Sequence, residues 1–241
     1  MKVFWFGDSW CAGSELVYAT SEYKEQLGDR LLSVTPEKDW YRDYFVKRYR
    51  PDLAFPAIIT QDLNLDSYYY VKGGSSIYRL YSYLLDAIRR FDTSNSIAIF
   101  SLPTSATRFE YISNDGEHVW KNKPGLSSDI DKLMRMVQVE RGHYDITLLL
   151  NLIYNTCVVR GITPYFFACW SNVPTIASFN DVPEENFYFP LTKTLVDLSW
   201  RSSRIETWNP HISPNDGHPN LEGQKLLAET LKPYVKKSLS L

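Results

Sequence analysis

The sequence predicts an α/β domain, a three-layer αβα sandwich around a mainly parallel, flavodoxin-like sheet. Short apolar, β-rich runs at 2–6, 67–71, 96–102 and 163–170 are each bounded by Gly, Pro or polar turn residues. Segments of helical periodicity lie between these runs and after the last one. Strands separated by helices join through right-handed crossovers into parallel sheets, and such sheets are covered on both faces. A chain of 241 residues suits one core of this kind. It reads as a single domain, 1–241, with long loops at 17–53, 103–128 and 171–219.

The elements follow in order. "KVFWF" (2–6) is a buried strand that stops at Gly7. Residues 17–53 mix charge, aromatics and two prolines, with a short helix expected near 40–48. "AFPAIITQDLN" (54–64) is helical after Pro56, and "SYYYV" (67–71) is a second strand ending at Gly73-Gly74. From Ile77, the positions Leu80, Tyr81, Leu84, Leu85, Ile88 and Phe91 keep a 3.6-residue period, with Ser75 or Ser76 as N-cap. "SIAIFSL" (96–102) is the third strand, closed by Pro103, and Asn114-Asp115-Gly116 then marks the turn of a small hairpin. Two helices are expected at 129–141 and 144–160, the second apolar on most of its circumference and therefore deeply buried. "TPYFFACW" (163–170) is the fourth strand. A helix is expected near 191–200, and Asn220 caps a closing helix, 221–232, that Pro233 terminates.

Composition excludes several classes of function. Apolar residues at 44% and charged residues at 22% are globular values, and a net charge of -2 leaves no electrostatic footprint for nucleic acid. The stretch "VKRYRP" (46–51) is too short to change that. Cys11, Cys157 and Cys169 are odd in number and lack CxxC spacing, which argues against a disulfide framework or a thiolate zinc site and fits a reducing compartment. Asp8 interrupts the opening apolar run before a signal-peptide core is reached, and no run approaches the roughly 18 apolar residues of a membrane span. The expectation is a soluble, cytoplasmic protein with no membrane or nucleic-acid partner.

In parallel sheets the ligand crevice lies beyond the carboxyl ends of the strands. Gly7-Asp8-Ser9, Gly73-Gly74-Ser75-Ser76 and Pro103-Thr104-Ser105 should therefore converge on one edge. A serine there presents its hydroxyl over the sheet and needs a base. "SPNDGHPNLEGQ" (213–224) supplies His218 in a proline-bracketed loop ahead of the last helix. Acyl transfer by serine requires an imidazole to take the hydroxyl proton and an acid to orient that imidazole. Asp216 stands two residues before His218, and in an extended segment i and i+2 project to one side.

"GDS" at the end of the first strand, together with "DGHPN" just before the final helix, resembles the SGNH or GDSL hydrolases, single-domain α/β esterases and lipases. The resemblance implies Ser9 as nucleophile, His218 as base, Asp216 as orienting acid and no cofactor. "GGSS" resembles the family's second block, which makes Gly74 the matching oxyanion-hole donor. Two departures stand beside this. The family's third block carries an Asn as third oxyanion donor, whereas "FSLPTSATRFE" has none and offers the hydroxyls of Thr104 or Ser105 instead. The family's acid usually stands three residues before the histidine, a position held here by Asn215.

The same residues have plainer readings. Ser9 alone suits a turn, and His218 suits a packed surface loop. His211, His218 and Asp216 lack the further ligands at recognisable spacing that a metal site needs. Arg108 and Glu110 lie near enough to the crevice to touch substrate and equally suit a surface ion pair. Tyr111, Trp120, Trp170 and Trp208 can line a groove where sugar faces stack, which points to a carbohydrate ester substrate. The expected activity is hydrolysis of short acyl esters, including carbohydrate O-acetyl groups. The alternatives are a binding module whose catalysis has decayed and an O-acyltransferase using the same triad.

Overall fold

The computed structural model describes residues 1–13, 16, 50–73, 75–102, 110–112, 118–120, 146–169, 181–201, 211–213 and 216–240. For 110–112, 118–120, 200–201, 211–213 and 216–217 it describes the backbone alone. The strands are β1 (Lys2–Gly7), β2 (Asp66–Val71), β3 (Ser96–Leu102), β4 (Glu110–Ile112), β5 (His118–Trp120), β6 (Ile162–Ala168), β7 (His211–Ser213) and β8 (Asp216–Pro219). The helices are α1 (Phe55–Leu63), α2 (Ile77–Arg90), α3 over 146–159, and α4 (Leu221–Ser238). The central sheet has the order β2-β1-β3-β6 and every pairing in it is parallel.

Alternation along β1 sends successive side chains to opposite faces. Phe4 and Phe6 join one core with Leu80 and Leu84 of α2, and with Leu150 and Ile153 of α3. Val3 and Trp5 join the other, with Phe55 and Ile59 of α1 and Leu227, Leu231 and Val235 of α4. The three layers predicted from sequence are thus present, with two of the described helices on each face. Across one face runs a row of stacked rings: Tyr70 lies 5.4 Å from Phe6, Phe6 4.6 Å from Phe100, and Phe100 5.2 Å from Phe166. These residues are register partners on the four strands. Parallel pairing therefore brings Gly7, Val71, Leu102 and Ala168 out along one edge.

Local chemistry explains the boundaries. Ser76 caps α2, its hydroxyl accepting from the Arg79 amide at 3.2 Å. Asn64 ends α1 in the left-handed region (φ 51°), and the Asn220 side chain accepts from Gly223 N at 2.9 Å to open α4. The expected hairpin about Asn114-Asp115-Gly116 is reflected in the antiparallel pair β4–β5, although the turn residues lie outside the described residues. The helices expected at 40–48 and 129–141 lie outside them too.

Four expectations change. The last helix does not stop at Pro233 but runs on to Ser238. Proline there forfeits one i→i−4 bond, which is offset because Val235 is fully buried and Tyr234 packs on Phe189 at 5.7 Å. Helix α3 is not buried all round, since Leu148 is 54% and Val159 83% exposed. It forms an outer layer, so only the side facing the sheet is covered. The loop before α4 contains the short antiparallel pair β7–β8, too brief and irregular to show alternation in sequence. The helix expected near 191–200 is present only over 195–201, where it ends in a π-helical turn at Asp197–Arg201, and a 3-10 turn at Glu184–Asn186 precedes it. Among the described residues no helix is long and apolar enough to cross a membrane.

Pro233 is exposed, so Pro233→Ala removes little packing while restoring a helix donor. Helix propensity favours alanine by about 3 kcal/mol, and the looser unfolded chain returns up to about 1 kcal/mol of that. The variant should be more stable by about 2 kcal/mol, read from the midpoint of urea unfolding.

Candidate active site

Ser9 stands two positions past the end of β1 and is 7% exposed. Its turn is built by its neighbours: Asp8 Oδ1 accepts from the Trp10 amide at 3.1 Å, and the Asp8 carbonyl accepts from Ala12 N at 2.9 Å. Gly7 allows this turn to fold back on itself. A Cβ at that position would stand 2.4 Å from Cys11 Sγ and 3.4 Å from Ser101 Cβ, so only glycine fits without displacing its surroundings.

The second loop meets the first. Lys72 N donates to the Gly7 carbonyl at 3.2 Å, and the Lys72 carbonyl accepts from Ser75 N at 3.2 Å and Ser75 Oγ at 2.7 Å. The segment flanking Gly73 is thereby fastened beside the Ser9 turn, as expected of loops at one sheet edge. Gly74, Thr104, Ser105, Arg108 and Asn215 lie outside the described residues, as do Trp170 and Trp208. Tyr111, Trp120 and Glu110 fall on the β4–β5 pair, described in backbone only.

His218 is half-buried and stands two positions after Asp216 on β8, where Asp216 pairs with Ser213 and Pro219 with His211. Immediately beyond, α4 is fastened to the Ser9 turn. The buried Gln224 side chain donates from Nε2 to the Trp10 carbonyl at 3.2 Å, and its Oε1 accepts from Phe55 N at 2.8 Å. The residue after Ser9 is thus bonded to the helix that follows His218. Sequence reasoning missed Gln224, though a signal existed: it occupies the apolar stripe of α4 with Leu227, Ala228 and Leu231.

Beneath the turn lies a sulfur cluster. Ser101 Oγ and Cys169 Sγ are 3.2 Å apart, and the Cys11 thiol lies beside that of Cys169. All three cysteines are free and buried. Burial pushes the Cys11 thiol well above its ordinary range, Cys169 and the Asp8 charge adding to the effect while the Ser101 hydroxyl opposes it. Burial alone pushes up Cys157. These are packing thiols, not nucleophiles.

No family model and no curated protein sequence matches the chain. Solved structures do. A protein from Desulfitobacterium hafniense DCB-2, described under the G-D-S-L family of lipolytic proteins, superposes with TM-score 0.53 at 12% identity over 97% of this chain and 98% of its own. The psychrotrophic esterase EstA from a Pseudoalteromonas species, in a structure inhibited by monoethylphosphonate, gives TM-score 0.52 at 11% identity over 100% and 99%. The acetyl xylan esterase Est2A from the rumen bacterium Butyrivibrio proteoclasticus gives 0.52 at 11%, over 99% of this chain and 64% of that one. At such identities the likeness is one of fold. It extends over the whole chain, in agreement with the parallel sheet and its two helical layers.

Three predictions concern the turn and the thiols. Gly7→Ala should cost about 1–3 kcal/mol through overpacking, and the cost should shrink when Cys11→Gly is introduced beside it, as a double-mutant cycle in urea would read. Native protein at pH 8 should leave all three thiols unreacted with a disulfide reagent, and unfolding should release them. Because burial raises the folded pKa of Cys11 and Cys157, their contribution to stability is complete below the unfolded thiol value of about 8.5 and is lost as pH rises beyond it. The urea midpoint should fall over that alkaline range.

Proposed function

We propose that this chain is a serine esterase of the SGNH type, cleaving short acyl esters through Ser9, His218 and Asp216. The observation that carries this reading is the Gln224 bond to Trp10, which joins the chain beside Ser9 to the helix that begins just past His218. The fold, the strand-end position of Ser9 and the "GDS" and "DGHPN" motifs support it further.

In this mechanism His218 takes the Ser9 hydroxyl proton as the oxygen attacks the ester carbonyl. The amides of Ser9 and Gly74 hold the oxyanion, and Asp216 steadies the imidazolium. Collapse of the tetrahedral intermediate breaks the C–O bond, and the alcohol leaves with the proton from His218. A water molecule, deprotonated by His218, then attacks the acyl-serine and releases the acid. Thr104 or Ser105 supplies a hydroxyl where relatives use an Asn, and Arg108 contacts substrate. Where neither hydroxyl reaches the oxyanion one donor is lost, which typically costs on the order of 10²- to 10³-fold in kcat. The loop aromatics suit a carbohydrate carrying O-acetyl groups, the substrate class named for the acetyl xylan esterase of similar fold.

The experiment is labelling with a fluorophosphonate at about pH 6 to 9, alongside turnover of a short-chain aryl ester. Wild type should label, and Ser9→Ala should not. Ser9→Ala and His218→Ala should each lower kcat by roughly 10³-fold or more. Absence of labelling throughout the range overturns the enzyme in favour of a binding module. Acyl-ester consumption that rises with an added sugar acceptor, giving acylated sugar in place of free acid, identifies transfer instead of hydrolysis.

A further inference from the structure

Gln224 is fully buried, and both ends of its amide are committed. Its orientation is unambiguous, because the backbone N–H of Phe55 can only donate and the Trp10 carbonyl can only accept. The first bond solves a local difficulty. Phe55 opens α1 behind Ala54, which has no side-chain oxygen, so its N–H has no cap within its own segment. The second bond holds the Ser9 turn. Trp10 O also accepts from Gly13 N at 3.3 Å, which fixes the carbonyl that Gln224 grips.

The path from Gln224 back to His218 is short and stiff. Gln224 N donates to the Asn220 carbonyl at 2.9 Å, and the Asn220 side chain caps the same turn through Gly223 N. Pro219, with its locked φ, joins Asn220 to His218. An apolar side chain at position 224 would fill the stripe of α4 equally well but would take from Phe55 N its acceptor and leave Trp10 O with the Gly13 amide alone.

We propose that Gln224 is a positioning residue, setting the separation between the Ser9 hydroxyl and the His218 imidazole by clamping the Ser9 turn to the first turn of α4. The proposal rests on the serine esterase reading above. Gln224 touches no substrate and acts only through the two segments that it joins.

The test measures the rate of fluorophosphonate labelling against pH for wild type, Gln224→Met and Gln224→Glu, with the unfolding midpoint of each protein recorded in parallel. Methionine keeps the volume and makes neither bond. Glutamate makes both when protonated, its carbonyl accepting from Phe55 N and its O–H donating to Trp10 O. When ionised it loses the donation and repels the carbonyl. Folded Gln224→Met should label roughly 10- to 100-fold more slowly than wild type, the scale expected of a misplacement near 1 Å. The ratio of Gln224→Glu to wild type should approach one toward acidic pH and fall as pH rises. Packing alone would not produce that pH-dependent rescue.

Where the methionine variant does not fold, the glutamate ratio decides. Variants that label at the wild-type rate, or a glutamate deficit constant across pH, overturn the positioning role and leave the esterase standing. A wild-type chain that takes no probe sinks the esterase reading and this proposal with it.

Discussion

The row of rings Tyr70, Phe6, Phe100 and Phe166 sets the geometry on which the rest depends. Each ring belongs to a different strand and each stacks on its register partner. A slip of one residue in any strand would send its ring to the opposite face and break the row there. Such pairs contribute about 0.5–1.5 kcal/mol each beyond the area they bury. Because Phe6 stands directly before Gly7, locking its height also locks where β1 ends. The Ser9 turn starts from that fixed point.

Sequence on either side of the row then does different work. On the opposite face, Trp5 meets Phe55 edge-on at 6.5 Å, joining β1 to α1. Its indole N–H is buried and has no hydrogen-bond partner among the described residues. Beyond the row, Gly7 lets Cys11 close against the strand end, and Ser101 with Cys169 forms the floor. The turn is therefore packed from below and bonded from the side by Gln224.

What could be read from the sequence was local. The strand Ser96–Leu102 and a cap at Ser75 or Ser76, which the structure resolves as Ser76, follow from composition and periodicity, because a seven-residue apolar run and serines before a helical stripe declare themselves within a few positions. Pro233 misled because a local rule was outweighed by packing further along: Val235 and Tyr234 hold the helix past the break. Helix α3 misled in the opposite sense. Its apolar positions outnumber the contacts that an outer layer offers, so Leu148, Leu152 and Val159 remain outside. For the candidate site, Ser9 and His218 were named from motifs, whereas Gln224 was passed over because its partners are 169 and 214 residues away.

That separation has a physical consequence. Among the described residues Phe55 N finds its acceptor only when the last helix has docked, and Trp10 O, which already accepts from Gly13 N, then gains its second donor, so neither the cap of α1 nor the clamp on the Ser9 turn can be completed by the N-terminal half alone. Closing so long a loop costs entropy that grows only slowly with its length, yet contacts of such sequence separation are gained late. The apolar residues Leu227, Leu231 and Val235 provide the driving force for docking, and Gln224 sits one turn before them on the same stripe. Hydrophobic burial brings the helix in without directional preference, and the amide then fixes its rotation and depth, because only one placement satisfies a donor and an acceptor together. A polar residue within an apolar stripe is thus the means by which a non-directional force ends in a defined geometry at the sheet edge.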